Sequence, residues 1–376
     1  MKFPSFLFLF LSLMFFSVES GAEQKPIHDE IDQIIQKMTF EEKVGQLLFV
    51  GFGGTEMDET IAGFFKQKKP GGAAFFSRNI KKLPQTLQLI RDVQALAPAG
   101  IPLFISVDQE GANVVRLQKY ATVIPSNMAI GATQSEQLAF EAGKALGKDL
   151  SLMGFNMNLA PVLDVASNPK NPVIGIRAFS GNPDLVAQMG SAYVAGLQSE
   201  GVSAVAKHFP GHGRSKFDTH LRASIVNKGY KDLIKTDLVP FKLLDKSLMV
   251  MLAHIKYPLI DLKVATYSNE IIQNILRKKF NFKGLVVSDD ISMKALKEDL
   301  QTKVTNCYKG GCDVVMYCKG NLNDMKLIYP LVNILEKKKM NYFFNERKKI
   351  TLKRKINNKF KSDLIEYNLI NNASKS

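Results

Sequence analysis

Eight stretches of strand length along the chain are continuously apolar rather than alternating between apolar and polar positions. They lie around residues 47–52, 71–76, 102–108, 157–165, 202–209, 250–255, 284–290 and 312–318. Continuous hydrophobicity is typical of parallel strands that are covered on both faces. Amphipathic stretches, such as those that begin at residues 83 and 183, lie between most of them. This alternation predicts an α/β fold and favours a single-domain (β/α)8 TIM-type barrel.

A doubly wound open sheet is the alternative for such a pattern. The chain has no glycine-rich dinucleotide or P-loop fingerprint, which weakens that alternative. In a barrel, the carboxyl ends of the strands converge on the face where barrel enzymes place their active sites. Ionisable residues end five of the predicted strands: Asp108, Asp164, Lys207 with His208, His254, and Asp289. Any single carboxylate could instead cap the following helix, but five such ends together predict a functional site.

Histidines are concentrated in one short segment. The chain has five, and three of them lie between His208 and His220, in and after the sequence KHFPGHG. Histidine either transfers protons near neutral pH or binds a metal, so a metal hydrolase that uses His208, His212 and His220 is one alternative. Asp218 and His220 are two residues apart, so in an extended loop both project to the same side, about 7 Å apart at Cα. A carboxylate there can fix the imidazole tautomer and stabilise the imidazolium.

Several longer motifs occur in a fixed order. They are FFSRN (75–79), VDQEG (107–111), APVLDVASNPKNPVIGIRAFS (160–180), KHFPGHG with DTH (207–220), MLAHIKYP (251–258) and VVSDDISM (286–293). With these motifs the chain resembles the family-3 glycoside hydrolases, in their single-domain bacterial β-N-acetylhexosaminidase (N-acetylglucosaminidase) branch. The resemblance runs from about residue 41 to residue 318. It implies a barrel, a retaining mechanism, and neither a metal nor an organic cofactor.

The resemblance also assigns roles to individual residues. Asp289 would be the nucleophile, with Asp290 as its structural neighbour, and His220 would be the acid/base, oriented by Asp218. His212 is interpreted as part of the loop structure. The residues implied as sugar ligands are Asp108, Arg116, Arg177, Lys207 and His208, and His254 is expected in the wall of the site.

One departure from the family pattern lies next to these residues. The family usually has Gly-Arg-Val after DQEG, whereas this chain has Ala112, Asn113 and Val114. The local turn is therefore expected to differ, although Arg116 keeps its spacing from Asp108.

The implied activity is hydrolysis of terminal β-linked N-acetylglucosamine by an exo-acting enzyme. Its carbohydrate substrates would be N-acetylglucosaminides such as the muropeptides of peptidoglycan fragments, and the expected form is a monomer. The alternatives are a family-3 β-glucosidase-type hydrolase and a catalytically inactive sugar-binding barrel. By the resemblance, many family-3 glucosidases take their acid from a second domain, and we expect no such domain here.

The beginning of the chain has the features of a secretory signal. A lysine precedes an apolar run from Phe6 to Phe16, which is too short to span a bilayer, and small residues follow at Ser20 and Ala22. No cysteine lies near the expected cleavage site, which argues against a lipoprotein. We therefore expect residues 1–22 to direct export, to the periplasm or out of the cell, and residues 23–340 to form the barrel.

The formal net charge of +15 raises the question of a nucleic-acid partner. Residues 337–361 contain eleven lysines and arginines against one acid, Glu346, so the basicity is a feature of the C-terminal segment and not of the whole surface. We therefore expect no nucleic-acid partner. Residues 341–376 are interpreted as a basic helix or tail that can make weak contact with an anionic envelope surface.

The three cysteines, Cys307, Cys312 and Cys318, are predicted to be free. If residues 312–318 form a strand, its ends lie about 20 Å apart at roughly 3.3 Å per residue, beyond the reach of a disulfide. The spacing also matches no zinc signature, so buried thiols are expected.

Overall fold

A computed structural model describes residues 33–98, 101–242 and 249–334 of the chain. The predicted signal segment and the basic segment 341–376 lie outside these residues. Within the described residues, no helix is long and apolar enough to cross a membrane.

Eleven strands are present in the described part of the chain. In chain order they are β1 (Leu48–Gly51), β2 (Gly72–Phe75), β3 (Phe104–Val107), β4 (Met157–Asn158), β5 (Ser203–Phe209), β6 (Ser224–Ile225), β7 (Met249–Leu252), β8 (Ile255–Tyr257), β9 (Asp261–Val264), β10 (Leu285–Asp290) and β11 (Val314–Tyr317). Eight of them form a closed barrel in the order β1-β11-β10-β7-β5-β4-β3-β2, and every neighbouring pair is parallel. Each of the eight predicted apolar segments overlaps one barrel strand, so the predicted (β/α)8 barrel is confirmed.

Helices connect the barrel strands. The α-helices are α1 (Phe40–Gly45), α2 (Glu59–Lys68), α3 (Leu83–Ala95), α4 (Asn127–Ala132), α5 (Glu136–Met153), α6 (Pro183–Ser199), α7 (Tyr230–Leu233), α8 (Leu300–Gly310) and α9 (Leu322–Ile328). A π-helix spans Glu270–Lys279, and 3-10 turns span Ser77–Asn79, Gln118–Tyr120, Gly175–Arg177, Ala265–Tyr267 and Tyr329–Ile334. The two amphipathic stretches predicted from residues 83 and 183 are α3 and α6.

Polar side chains define where the crossover helices begin. The carboxylate of Asp58 accepts the Ile61 N–H at the start of α2, and the Asn182 side chain accepts two N–H groups at the start of α6. These caps satisfy donors that have no partner within the helix. The amphipathic face of α3 is buried through Leu89, Ile90 and Val93, so the helix packs its apolar side against the barrel.

The core fills both faces of the barrel sheet. The strands of the barrel are buried along nearly their whole length, as their continuous hydrophobicity predicts. Aromatic rings pack together in this core: Phe75 on β2 contacts Phe52 edge to face at 5.2 Å and Phe155 at 5.4 Å between ring centroids. Cys307, Cys312 and Cys318 are free and buried, so that prediction is also confirmed.

A small second sheet lies beside the carboxyl ends of the barrel strands. It contains β6, β8 and β9, and β8 pairs parallel with β6 and antiparallel with β9. Because β8 begins three residues after the end of barrel strand β7, this sheet extends the barrel wall on its carboxyl side. The loop that carries Asp218 and His220 leads directly into β6, which places that loop next to the small sheet.

Candidate active site

A cavity of about 310 Å³ opens at the carboxyl ends of the barrel strands. A space of this size fits one small ligand such as a single sugar ring. Seven of the eight residues that the sequence analysis assigned to the site line it: Asp108, Arg116, Arg177, Lys207, His208, His220 and Asp289. The eighth, Asp218, contacts the His220 ring. Apolar side chains including Phe76, Leu159 and Met251 complete the walls.

The ionisable strand ends take two different positions. Asp108, Lys207, His208 and Asp289 line the cavity, whereas Asp164 and His254 are buried outside its lining. The expectation that His254 forms part of the site wall is therefore wrong. His254 lies behind the wall, where its Nε2 donates to the carbonyl oxygen of Asp290 at 3.1 Å.

Lys207 is the centre of a buried ion network at the ends of β3 and β5. Its ammonium group lies 2.9 Å from Asp108 Oδ1 and 2.7 Å from Glu110 Oε1. Arg177 binds both oxygens of Glu110, with two N–O distances of 2.8 Å. Burial by itself raises the pKa of Glu110, but the charges of Lys207 and Arg177 lower that pKa to about 2. Glu110 is therefore an anion that fixes two cationic side chains beside the cavity.

Asp164 organises the KHFPGHG segment from behind the cavity. Its carboxylate accepts the backbone N–H groups of His208 and His212, and it accepts the His208 ring Nδ1–H at 2.7 Å. Burial opposes ionisation, but the charge and hydrogen bonds of His208, followed by those of His212, hold the pKa of Asp164 below its ordinary value. The pairing fixes the His208 tautomer, and Nε2 is the ring nitrogen left to face a ligand.

His212 is part of the loop structure, as the sequence analysis expected. Its ring is buried, and Nε2 lies 3.0 Å from the hydroxyl oxygen of Thr219. Burial and the charge of His208 lower the pKa of His212 to about 4, so the ring is neutral at pH 7. Thr219 immediately precedes His220, so this contact holds the loop near the cavity.

Asp289 stands at the end of β10 with its carboxylate toward the cavity. The N–H of Asp290 donates to its Oδ1 at 2.8 Å. Burial alone raises the pKa of Asp289, but the charges of His254 and His208 and this hydrogen bond lower it. Asp289 is therefore an ionised carboxylate in a fixed position.

Asp290 has a structural role beside it. Its carboxylate accepts the N–H and hydroxyl of Ser292 and the N–H of Cys318 at 3.0 Å. These bonds join the end of β10 to the end of β11. The backbone that carries Asp289 is thereby held between two strand ends.

His220 lies on the loop after β5, and its side chain is 63% exposed. Both its backbone N–H and its ring Nδ1–H donate to Asp218 Oδ1, each at 2.8 Å. Partial burial raises the pKa of Asp218, but these hydrogen bonds from His220 outweigh that effect and lower it. The ionised carboxylate therefore sets the tautomer, and Nε2 of His220 is available for proton transfer in the cavity.

The loop is attached at both sides of His220. The backbone carbonyls of Thr219 and His220 accept the N–H groups of Ala295 and Lys294, in the segment that follows β10. At the start of the loop, a Cβ on Gly213 would lie 1.7 Å from the carbonyl oxygen of Val165, so only glycine allows this close approach. These contacts bring the predicted acid/base residue and the predicted nucleophile to one cavity.

The turn after DQEG forms in spite of its unusual sequence. Ala112 adopts a φ of +45°, a left-handed conformation that favours glycine. The side chain of Gln109 accepts the N–H groups of Arg116 and Leu117, which returns Arg116 to the cavity. Its guanidinium lies 3.7 Å from Asp108 Oδ2, so Arg116 occupies the expected place.

The sequence assigned no role to Glu110, which lines the cavity, or to Arg78, which supports the strand ends around it. Glu110 is in the VDQEG motif, and its position two residues after Asp108 is the signal that could have identified it. Arg78 is in FFSRN, and its guanidinium donates to the carbonyl oxygens of Phe52 at 2.9 Å and Cys318 at 2.6 Å. It therefore ties together three strand ends that are distant in the sequence.

No group of three or more histidine, cysteine, aspartate or glutamate side chains suited to a metal ion occurs in the described ranges. His208, His212 and His220 each bond to a different partner, namely Asp164, Thr219 and Asp218. The described geometry therefore does not favour the metal-hydrolase alternative.

Comparison with known proteins identifies similar chains. The family model for the glycosyl hydrolase family 3 N terminal domain matches residues 39–351. A β-hexosaminidase of Nitrosomonas eutropha is 36% identical over 281 residues, which cover 72% of this chain and 80% of the relative.

Two solved structures extend the comparison. A glycoside hydrolase family 3 β-N-acetylglucosaminidase from Paenibacillus sp. superimposes with a TM-score of 0.81 at 32% identity, covering 85% of this chain and 63% of that one. NagZ from Neisseria gonorrhoeae, in complex with N-trifluoroacetyl-D-glucosamine, superimposes with a TM-score of 0.68 at 26% identity. That match covers 82% of this chain and 98% of the Neisseria chain.

Substitution of the buried Glu110 tests how much the ion network stabilises the protein. Replacement Glu110→Gln leaves Lys207 and Arg177 without their shared anion, so we expect the free energy of unfolding to fall by about 3–5 kcal/mol at pH 7. Urea unfolding at a series of pH values measures this loss. The exposed Glu141→Gln on α5 is the matched control, for which we expect a change within about 0.5 kcal/mol.

The ion network also predicts how the free energy of unfolding depends on pH. Because the pKa of Glu110 is lowered from 4.5 to about 2 on folding, its contribution is complete above pH 4.5 and is lost as the pH falls toward 2. The wild type should therefore lose stability more steeply than Glu110→Gln across this interval. Equal slopes for the two proteins would contradict the assignment of Glu110 as the anion of the network.

Proposed function

This chain belongs to glycosyl hydrolase family 3 and is a glycoside hydrolase, and from that premise we propose that it is a retaining, exo-acting β-N-acetylglucosaminidase. The observation that carries the proposal is the presence of Asp289 and His220 in one cavity, with Asp218 bonded to the His220 ring. The names of the relatives support an N-acetylhexosamine as the sugar. A cavity of about 310 Å³ suits one terminal sugar residue.

In the first step the carboxylate of Asp289 attacks the anomeric carbon. A bond forms between a carboxylate oxygen and that carbon while the bond to the departing oxygen breaks. The protonated Nε2 of His220 donates its proton to the departing oxygen, so the leaving group departs as an alcohol. The lowered pKa of Asp289 supports this role, because the nucleophile must be ionised.

In the second step water releases the sugar from Asp289. Neutral His220 takes a proton from the water as its oxygen bonds to the anomeric carbon, and the bond to Asp289 breaks. The configuration at the anomeric carbon is thereby retained. His220 is protonated again, stabilised by the ionised carboxylate of Asp218, and ready for another cycle.

Other charged groups in the cavity are suited to binding sugar hydroxyls. We assign this role to Asp108, Arg116, Arg177, Lys207 and His208. Charge-assisted hydrogen bonds from such groups are stronger than neutral ones, and the ion network keeps these groups in place without a ligand. We also propose that the enzyme acts as a monomer without a metal or organic cofactor.

We further propose peptidoglycan fragments, as muropeptides, as the natural source of the substrate. Export of the protein by residues 1–22 would place it where such fragments arise, and weak contact of the basic segment 341–376 with the anionic envelope would be compatible with that location. The comparison that tests the sugar preference is activity on an aryl N-acetyl-β-glucosaminide against the corresponding glucoside. A preference for the glucoside would favour the glucosidase alternative, and lack of turnover of both would favour the inactive sugar-binding barrel.

Replacement Asp289→Ala should abolish turnover of aryl N-acetyl-β-glucosaminides without unfolding the protein, because it removes the covalent route. Steady-state rates and thermal unfolding measure the two effects. A 2-deoxy-2-fluoro or 5-fluoro glycosyl reagent should label the wild type on Asp289, as peptide mass spectrometry can determine. Label on a different residue would refute the assignment.

Replacement His220→Ala should slow cleavage most for poor leaving groups such as sugars, since general acid catalysis is worth about 10²- to 10⁴-fold. Activated aryl leaving groups need little protonation, so their first step should be much less affected. Water activation is still impaired, so the intermediate on Asp289 should accumulate and give a pre-steady-state burst. The measurement is a leaving-group series with rapid-mixing kinetics.

Asp218→Asn should reproduce this pattern in a weaker form, because the ring remains but its cation loses support. His212→Gln serves as a comparison for disturbed loop geometry, since it alters the contact with Thr219 but does not change a residue that lines the cavity. Equal losses for good and poor leaving groups, with no burst in His220→Ala or Asp218→Asn, would remove the acid/base role from His220.

Export has its own test. Expression of the full chain in a bacterial host should yield an extracytoplasmic protein whose N-terminus lies near Gly21 or Glu23. The variant Leu9→Arg/Leu11→Arg breaks the apolar run and should remain uncleaved in the cytoplasm. Retention of Met1 on wild-type cytoplasmic protein would contradict the proposal.

A further inference from the structure

A second cavity, of about 470 Å³, lies between the small sheet and α8. Its polar lining includes three lysines, Lys256 on β8, Lys263 on β9 and Lys309 on α8, together with Asn306 and the single carboxylate of Glu298. The apolar part of its lining consists of Ala223, Ile225, Leu262 and Val264. The cavity shares no lining residue with the one that contains Asp289.

The three lysines concentrate positive charge in the wall of this cavity. Among the described residues, none of Lys256, Lys263 and Lys309 forms an ion pair with a carboxylate. Glu298 contacts the Tyr267 hydroxyl at 3.4 Å. Three ammonium groups around one concave surface create a positive potential that attracts anions. The cavity therefore has the charge of a binding site for a ligand with more than one negative group.

A short stretch of chain connects the second cavity to His220. Ala223 and Ser224 in its wall follow His220 by three and four residues, a distance of at most about 11–14 Å along the chain. The Ser224 hydroxyl also bonds to Ser215 at 2.6 Å, which joins the small sheet to the catalytic loop. Because the acid must contact the glycosidic oxygen, the aglycone begins beside His220.

We propose that this lysine cavity is a subsite for aglycones that carry carboxylate groups. The lysines bind the carboxylates, and Ile225, Leu262 and Val264 contact the aliphatic parts of the same group. Ile225 on β6 pairs with Lys256 on β8, so an apolar and a cationic side chain belong to neighbouring positions. An acidic peptide has both aliphatic and carboxylate groups for such a pair to bind. The inference rests on the proposed function, since it takes the leaving group to lie on the His220 side.

Kinetics on a matched pair of substrates tests the proposal. The acidic substrate is N-acetylglucosaminyl-β-1,4-N-acetylmuramoyl-L-alanyl-D-glutamate, whose glutamate has two free carboxylates, and its neutral partner has carboxamides instead. In the variant Lys256→Gln/Lys263→Gln/Lys309→Gln, KM for the acidic substrate should rise about tenfold. KM for the neutral partner, and kcat for an aryl N-acetyl-β-glucosaminide, should change by less than about twofold.

Salt and a control variant separate charge from structure. Raising the ionic strength should weaken binding of the acidic substrate to the wild type and remove most of its advantage over the neutral one. The exposed lysine Lys148 on α5, replaced by glutamine, should leave all of these values unchanged. Similar losses of the triple variant on acidic, neutral and aryl substrates would overturn the proposal, because they indicate damage to the catalytic loop. No loss on the acidic substrate would overturn it as well.

A binding measurement distinguishes this inference from the proposed function. Free N-acetylmuramoyl-L-alanyl-D-glutamate needs no cleavage to bind, and calorimetry should give a Kd for the triple variant about tenfold above that of the wild type. Failure of the wild type to cleave any N-acetylglucosaminide would refute the proposed function, whereas equal affinity of wild type and variant for the free acidic aglycone would refute the subsite.

Discussion

Pairing of β1 with β11 closes the barrel, and the position of every residue at its carboxyl end depends on that closure. In this pairing Leu48 on β1 lies opposite Val315 on β11, and the two strands come from opposite ends of the described chain. Arg78 reinforces the same closure, because its guanidinium donates to carbonyl oxygens that follow β1 and β11. With the sheet closed, residues that are far apart in the sequence face one cavity, and their side chains can form a common site.

The charged groups gathered there must neutralise one another. A buried lysine or carboxylate without a partner destabilises the folded state by several kcal/mol. The barrel can therefore close only if the charged side chains at its carboxyl end form ion pairs. Glu110 meets this requirement by binding Lys207 and Arg177 together, and Asp164 meets it by binding His208. The same pairing gives the cavity a rigid set of cations and anions before any sugar enters, which lowers the cost of organising the site.

The two proposed catalytic groups have different environments that suit their different tasks. Asp289 is at a strand end, fixed by the N–H of Asp290 and by the bonds between β10 and β11, as a nucleophile with one direction of attack requires. His220 is on a loop and largely exposed, as a group that exchanges protons with both leaving group and water requires. The same loop leads into β6, whose Ser224 and Ile225 line the lysine cavity, so one segment connects the proposed acid/base with the proposed aglycone subsite.

The sequence by itself determined the eight strands and the barrel, because continuous hydrophobicity is a local property of the chain. Strand-end position also identified Asp108, Lys207, His208 and Asp289, which line the cavity, whereas Arg116 and Arg177 were assigned through the resemblance to the family. The sequence also determined the pairing of Asp218 with His220, which needs only a two-residue spacing. Only the tertiary structure decided that Glu110 binds Arg177, that His254 lies behind the wall, and that three lysines from β8, β9 and α8 surround one cavity. These arrangements depend on strand register and barrel closure, and the electrostatic partner of a charge is set by distance in space, which local sequence does not encode.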